Sequence, residues 1–169
     1  MDRNPFFLPT LLLVLAILVS CANETTSVKP ATEGLRTDSD TLIFDQELAT
    51  RLGADDYGMN TYVMAFLKAG PIRTQDSIES ARLQRAHLDN ITRMAEEGSL
   101  LIAGPFMDDG EVRGIYIFNV KTIEEARKLT ETDPAIQAGR LEMELHPWYG
   151  PASIGLTKEI SEKITKKGI

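Results

Sequence analysis

The chain of 169 residues is poor in the residues that cross-link or metallate small domains. It has one cysteine, Cys21, so an intrachain disulfide is excluded. One cysteine and two histidines, His87 and His146, are too few for a structural zinc site. The acidic run Asp108-Asp109-Gly110-Glu111 lacks the ligand spacing of an EF-hand. No metal is therefore expected, and no cofactor. Basic residues are also in deficit: 18 Lys and Arg stand against 25 Asp and Glu, a net charge of -7, which argues against nucleic acid as a partner. No apolar run reaches the roughly 20 residues that a comfortable transmembrane helix needs. What remains is ordinary for a globular domain with extras, at 43% hydrophobic and 25% charged residues.

The one long apolar run is Phe6 to Val19, after a short polar start containing Arg3, and it suits a secretory signal core. It ends Leu18-Val19-Ser20-Cys21, which resembles a bacterial lipobox: an aliphatic residue three before the cysteine and a small residue just before it. On this reading residues 1–20 are a lipoprotein signal peptide and Cys21 carries lipid. Multiple acyl chains would tether the mature protein firmly to a membrane of the cell envelope. A cleaved signal with an incidental cysteine and an uncleaved anchor are the alternatives. Ala22 follows the cysteine, where no inner-membrane retention signal stands, so the outer membrane is the expected placement. Residues 21–41 are small, polar and rich in Pro and Gly, and read as a flexible tether.

The remaining chain has clear punctuation. Residues 42–58 hold a helix, with Phe44, Leu48 and Leu52 on one face and Gly53 as its C-cap, and then a turn-rich connection. Thr61 to Lys68 is rich in β-formers and reads as a strand buried on both faces. A long helix follows from an N-cap at Asp76 or Ser77 to Gly98, with an apolar stripe at Ile78, Ala81, Leu88, Ile91 and Ala95. Leu100 to Ala103 and Gly114 to Val120 are strands joined through the Asp109-Gly110 turn. Thr122 and Glu125 form a capping box for a second helix, which turns Ile123, Ala126 and Leu129 inward. Asp133-Pro134 is an N-cap with Pro at the first helical position. Leu141 to His146 alternates apolar and polar residues as a half-buried strand does. Residues 151–169 form a tail whose last part, Thr157 to Ile169, is a short charged helix with Ile160 and Ile164 as its apolar pair.

The order strand, helix, strand, strand, helix, strand predicts an α+β, ferredoxin-like βαββαβ domain over residues 59–150. Its four-stranded antiparallel sheet carries both helices on one face. The other face would leave apolar residues exposed, so two copies are expected to pack sheet against sheet as a homodimer.

Several short motifs stand in a fixed order: Ala86-His87-Leu88, Glu97-Gly98-Ser99-Leu100, Ala103-Gly104-Pro105-Phe106, Gly114, Glu124-Glu125-Ala126, Asp133-Pro134 and Pro147-Trp148. In these the chain resembles the YCII-related proteins of the dimeric α/β-barrel superfamily, over about Tyr62 to Trp148. The resemblance implies an active-site dyad of His87 and Asp133 in a pocket beside the sheet. It also implies a small-molecule ligand. A few relatives eliminate chloride from lactone or hydroquinone-like products of chlorinated aromatics, whereas the lipoprotein signal here departs from the cytoplasmic members.

A carboxylate that orients an imidazole makes an acid/base pair, and with no nucleophile implied the chemistry is proton abstraction from carbon, leading to elimination or isomerisation. Taken singly, His87 also fits a helix residue with a local hydrogen bond, and Asp133 a plain N-cap. One carboxylate has two oxygens and can serve both purposes. Arg82 and Arg85 could bind an anion near His87, and Tyr62 and His146 could line the pocket. Two functions stay open: a lyase- or isomerase-like enzyme, and a lipoprotein that binds a small molecule or a partner without catalysis.

Overall fold

A computed structural model describes residues 43–167. The apolar run at residues 6–19, Cys21 and the segment up to residue 42 lie outside the described residues, so the signal, lipidation and tether expectations have no structural counterpart here. No helix among the described residues is long and apolar enough to cross a membrane.

Four strands build the domain: β1 (Met59–Ala69), β2 (Leu100–Pro105), β3 (Val112–Phe118) and β4 (Leu141–Pro151). They form one antiparallel sheet in the order β2-β3-β1-β4. The helix α2 (Ser77–Glu96) links β1 to β2, and α3 (Ile123–Thr130) with the single turn α4 (Pro134–Gln137) links β3 to β4. This is the ferredoxin-like α+β arrangement. A short α1 (Gln46–Leu52) precedes it, and a 3-10 turn (Ala152–Leu156) and α5 (Thr157–Ile164) follow it.

Local chemistry sets most element ends. The Asp76 carboxylate accepts from the Glu79 N–H and starts α2. Thr122 and Glu125 close a reciprocal capping box on α3. Gly53, at φ 62°, ends α1 in the left-handed conformation that glycine tolerates best.

Residues directly opposite in the register share a sheet face. Val63, Ala65 and Leu67 of β1 lie with Phe118, Tyr116 and Gly114 of β3 and with Leu145 and Met143 of β4. This face packs under the helices, and Val63, Ala65, Tyr116 and Phe118 form the core with Met94, Leu100 and Ala126. The opposite face carries Tyr62, Met64, Phe66 and Lys68 of β1 beside Ile115 and Ile117 of β3, Ile102 of β2, and Glu142, Glu144, His146 and Trp148 of β4. Met64, Phe66, Ile102 and Ile115 stay partly open there. Tyr62 and Ile117 are already buried within one chain, so the face is less bare than the alternation implied.

Four expectations need correction. β1 is two-sided in character rather than buried throughout: positions 63, 65 and 67 are buried while 64, 66 and 68 are half-buried. Phe44 precedes α1, which starts after the Asp45 cap, and is 71% exposed. The inward face of α2 is Leu83, His87, Asn90 and Met94, about a third of a turn away from the stripe drawn through Ile78 and Ala95. Two of those four residues are polar, which is why hydrophobicity misplaced the face. Leu88, Ile91 and Ala95 form a half-buried flank, and Ile78 is 81% exposed. Finally, α5 stops at Ile164, and Ile160 and Ile164 both point to solvent while Thr157 and Ser161 are half-buried.

The rotation of α2 has a mutational consequence. Met94→Ala should lower the unfolding free energy by about 2–5 kcal/mol, as truncations of buried apolar side chains do. Ile78→Ala should stay within about 0.5 kcal/mol of the parent, as exposed substitutions do. Urea titration of both variants checks this, and the reverse ranking would restore the original stripe.

Candidate active site

His87 sits mid-way along α2 on its inward face, with only 6% of its surface exposed. A histidine there is largely stripped of water, so its ring nitrogens need protein partners. Both have one. Nδ1 lies 2.5 Å from Oδ2 of Asp133, and Nε2 lies 3.4 Å from the hydroxyl of Tyr116, at the long end of hydrogen bonding.

Asp133 is fully buried and held by its own turn. Its Oδ1 accepts from the Ala135 N–H at 2.8 Å, the N-cap bond of α4, while Pro134 fills the first helical position. Its backbone N–H donates to the Thr130 carbonyl, and its carbonyl accepts from Ile136 and Gln137. The two carboxylate oxygens thus divide: Oδ1 builds the turn and Oδ2 meets the imidazole. Next to this turn, Arg93 donates to both Asn90 Oδ1 and Thr132 Oγ1, at 2.9 and 3.0 Å, which ties the loop carrying Asp133 to the helix carrying His87.

An ionised carboxylate only accepts, so Nδ1–H donates to Oδ2, and in the neutral ring Nε2 is the basic nitrogen. The Tyr116 hydroxyl faces that nitrogen. Its pKa is raised well above the ordinary tyrosine range, first by burial and then by the Asp133 charge, so it remains a protonated donor at neutral pH. The rings of His87 and Tyr116 stack with centroids 6.3 Å apart, and Tyr116 abuts Phe118 edge to face.

His87 borders a cleft with two lobes. One, of about 290 Å³, is lined by Arg73, Gln84, Arg113, Ala135, Arg140 and Leu141 among others. The other, of about 150 Å³, is lined by Leu88, Ile91, Ala103, Gly104 and Tyr116. Leu67, Gln84, His87, Pro105 and Arg113 border both. Among the described residues no cluster of His, Cys, Asp and Glu is placed to hold a metal ion. The arrangement can move a proton at Nε2 and set a charged lobe and an apolar lobe on either side of it.

His87 and Asp133 are thus brought together, but the three candidates for substrate binding are not. Arg85 points outward on α2 and pairs with Asp89 at 2.8 Å, because its position lies well round the helix from His87. Arg82 likewise pairs with Glu79. Tyr62 and His146 occupy the opposite face of the sheet from the cleft. Tyr62 is 1% exposed and directs its hydroxyl toward the carbonyls of Pro151 and Ala152. His146 meets Glu144 at 2.8 Å, and Glu144, held below the usual carboxylate range first by Lys68 and then by His146, makes this an exposed charge cluster. The residues that do line the cleft and were missed are Arg73, Gln84, Arg113, Arg140 and Tyr116. For Tyr116 a signal existed, a single hydroxyl in the otherwise apolar strand face of Tyr116 and Phe118. The arginines come from three separate segments and carry no local signal.

The topology and the site define a small α+β domain with a buried His–Asp pair at a cleft under its helices. The family model described as YCII-related domain matches residues 64–149, half of the chain, and the chain belongs to that family. No curated protein matches. Among solved structures the chain is similar to 5-chloro-2-hydroxyhydroquinone dehydrochlorinase (TftG) from Burkholderia phenoliruptrix AC1100, in complex with 2,5-dihydroxybenzoquinone. The identity is 16%, the TM-score 0.39, and the alignment covers 51% of this chain and 92% of the other.

The raised Tyr116 pKa fixes the sign of an alkaline effect. The folded protein holds this proton more tightly than the unfolded chain, which releases it near pH ~10. Stability from this group is therefore complete below about pH 10 and is lost as pH rises beyond it, at up to about 1.4 kcal/mol per pH unit. Urea unfolding between about pH 8 and 11 should show a shallower alkaline decline for Tyr116→Phe than for the parent; parallel declines would remove Tyr116 as a cause.

Proposed function

We propose that the protein is an envelope-tethered enzyme that converts a small molecule by acid/base chemistry, of lyase or isomerase type, with His87 as the proton-transfer group. The observation that carries this reading is the buried Nδ1–Oδ2 contact between His87 and Asp133 beside a cleft. Asp133 holds the tautomer in which Nε2 is the basic nitrogen that takes a proton, and stabilises the imidazolium that results. Tyr116 supplies a donor next to that nitrogen, suited to a developing oxyanion on the substrate. Membership of the YCII-related family supports a small-molecule-converting role.

Tethering is supported by the apolar run ending Leu18-Val19-Ser20-Cys21. Pairing of two copies is supported by the partly open apolar face of Met64, Phe66, Ile102 and Ile115, which a second sheet would cover. Native mass spectrometry from detergent micelles reads both properties at once. The expected species has two chains, each with acyl mass on Cys21. An unmodified cysteine or a single chain would sink the corresponding part.

The dyad is tested by ¹⁵N NMR of the histidine rings in the detergent-solubilised full chain. There are only two histidines, so His87 is assigned through a His146 substitution. The neutral ring should carry its proton on Nδ1 in the parent. In Asp133→Asn the amide can present its NH₂ group instead, and the proton should move to Nε2. A ring with mixed tautomers, unchanged by the substitution, would overturn the acid/base assignment.

A further inference from the structure

The cleft beside His87 gathers positive charge in a chain whose net charge is -7. Arg73 comes from the segment before α2, Arg113 from β3, and Arg140 from the turn before β4. Like charges drawn to one lobe repel unless something answers them. Among the described residues little answers them. Of the described residues Arg113 reaches only Asp109, an exposed turn residue, at 3.7 Å. Arg140 donates to the neutral Gln75 Oε1 at 3.4 Å. No Asp or Glu lines either lobe among the described residues. The arginines of α2 behave differently: Arg82, Arg85 and Arg93 each hold a carboxylate within 2.7 to 2.8 Å.

The second lobe has the opposite character. Leu88, Ile91 and Tyr116 offer apolar and aromatic surface, and Gly104 adds no side chain. His87 stands where the two lobes meet.

We propose that the site takes a small organic carboxylate with an apolar body, its carboxylate held by Arg73, Arg113 and Arg140 and its body lying against Leu88, Ile91 and Tyr116. Planar guanidinium groups match the two oxygens of a carboxylate, which a neutral ligand would leave unanswered. The lobes fall at or below the lower end of ligand pockets, roughly 300–1,000 Å³, so the body is about one ring or a short chain. Held in this way, the carbon next to the body would lie beside the His87 ring. What His87 then does rests on the acid/base reading above; the binding itself does not.

The test is calorimetric titration of the full chain in detergent with benzoate, with benzamide as its neutral isostere and phenyl phosphate as the alternative anion. Benzoate should bind, should bind more weakly as salt rises, and should perturb the His87 ring signals, whereas benzamide should not bind. Arg73→Gln and Arg140→Gln should each weaken benzoate about tenfold or more, the scale of one hydrogen bond to a charged group. Arg85→Gln, which removes the same charge from the outer face of α2, should leave it unchanged. The benzamide and salt comparisons use the parent protein, so they hold even if an arginine variant folds poorly. Equal binding of benzoate and benzamide, arginine variants that bind as the parent does, phenyl phosphate binding without benzoate, or no binding of benzoate would each overturn the proposal. His87→Gln separates the two readings: benzoate bound by this variant through the arginines supports the carboxylate site even where the tautomer experiment has removed the catalytic one.

Discussion

A buried carboxylate needs its lone pairs answered, and in this domain Asp133 is the group that the helical layer is arranged to answer. One oxygen caps the turn of α4 and the other meets His87 of α2. Satisfying both at once fixes the rotation of α2 about its axis and the height of the α3–α4 connection above the sheet. Asn90, Thr132 and Arg93 hold the same two segments together one turn further along. The inward face of α2 is therefore half polar, and the helix does not present its most apolar stripe to the core.

The two faces of the sheet divide the labour. Under the helices, Val63, Ala65 and Phe118 pack as core, and Tyr116 on the same face turns its hydroxyl to the imidazole. Tyr116 thus belongs to both core and site, and its burial is what keeps its proton in place. On the other face, charged and aromatic residues of β4 sit beside half-buried apolar residues of β1 and β3. The candidate site on one face and an apolar patch on the other can change independently, because side chains on alternate positions of a strand never meet.

The cleft follows from where the chain must turn. β1 ends at Ala69, β3 begins at Val112 and β4 begins at Leu141, and these ends lie together at one end of the sheet. Their registers pair Lys68 with Val112 and Ala69 with Leu141, which brings the neighbouring Arg113 and Arg140 to the same place. Gly70 permits the approach, since a Cβ there would stand 2.3 Å from the Gly139 carbonyl oxygen. A charged lobe at a sheet end, next to an imidazole fixed from behind, is a site assembled from loop ends upon a rigid layer.

The sequence by itself determined what depends on neighbours along the chain. Alternation marked the strands, capping residues marked the helix starts at Asp76 or Ser77, at Thr122 and at Asp133, and their order defined the ferredoxin-like plan. Short motifs carried the family and pointed to His87 and Asp133. Only the tertiary structure decided what depends on direction. It placed Arg85 on solvent, Tyr62 and His146 behind the sheet, and Arg73, Arg113 and Arg140 around His87. The physical reason is that spacing along a chain fixes how residues are arranged relative to one another on a helix or strand. Which way that element then faces is settled by packing, and here His87 and the side-chain oxygen of Asn90, met by Asp133 and Thr132 from another segment of the chain, outweighed its apolar stripe.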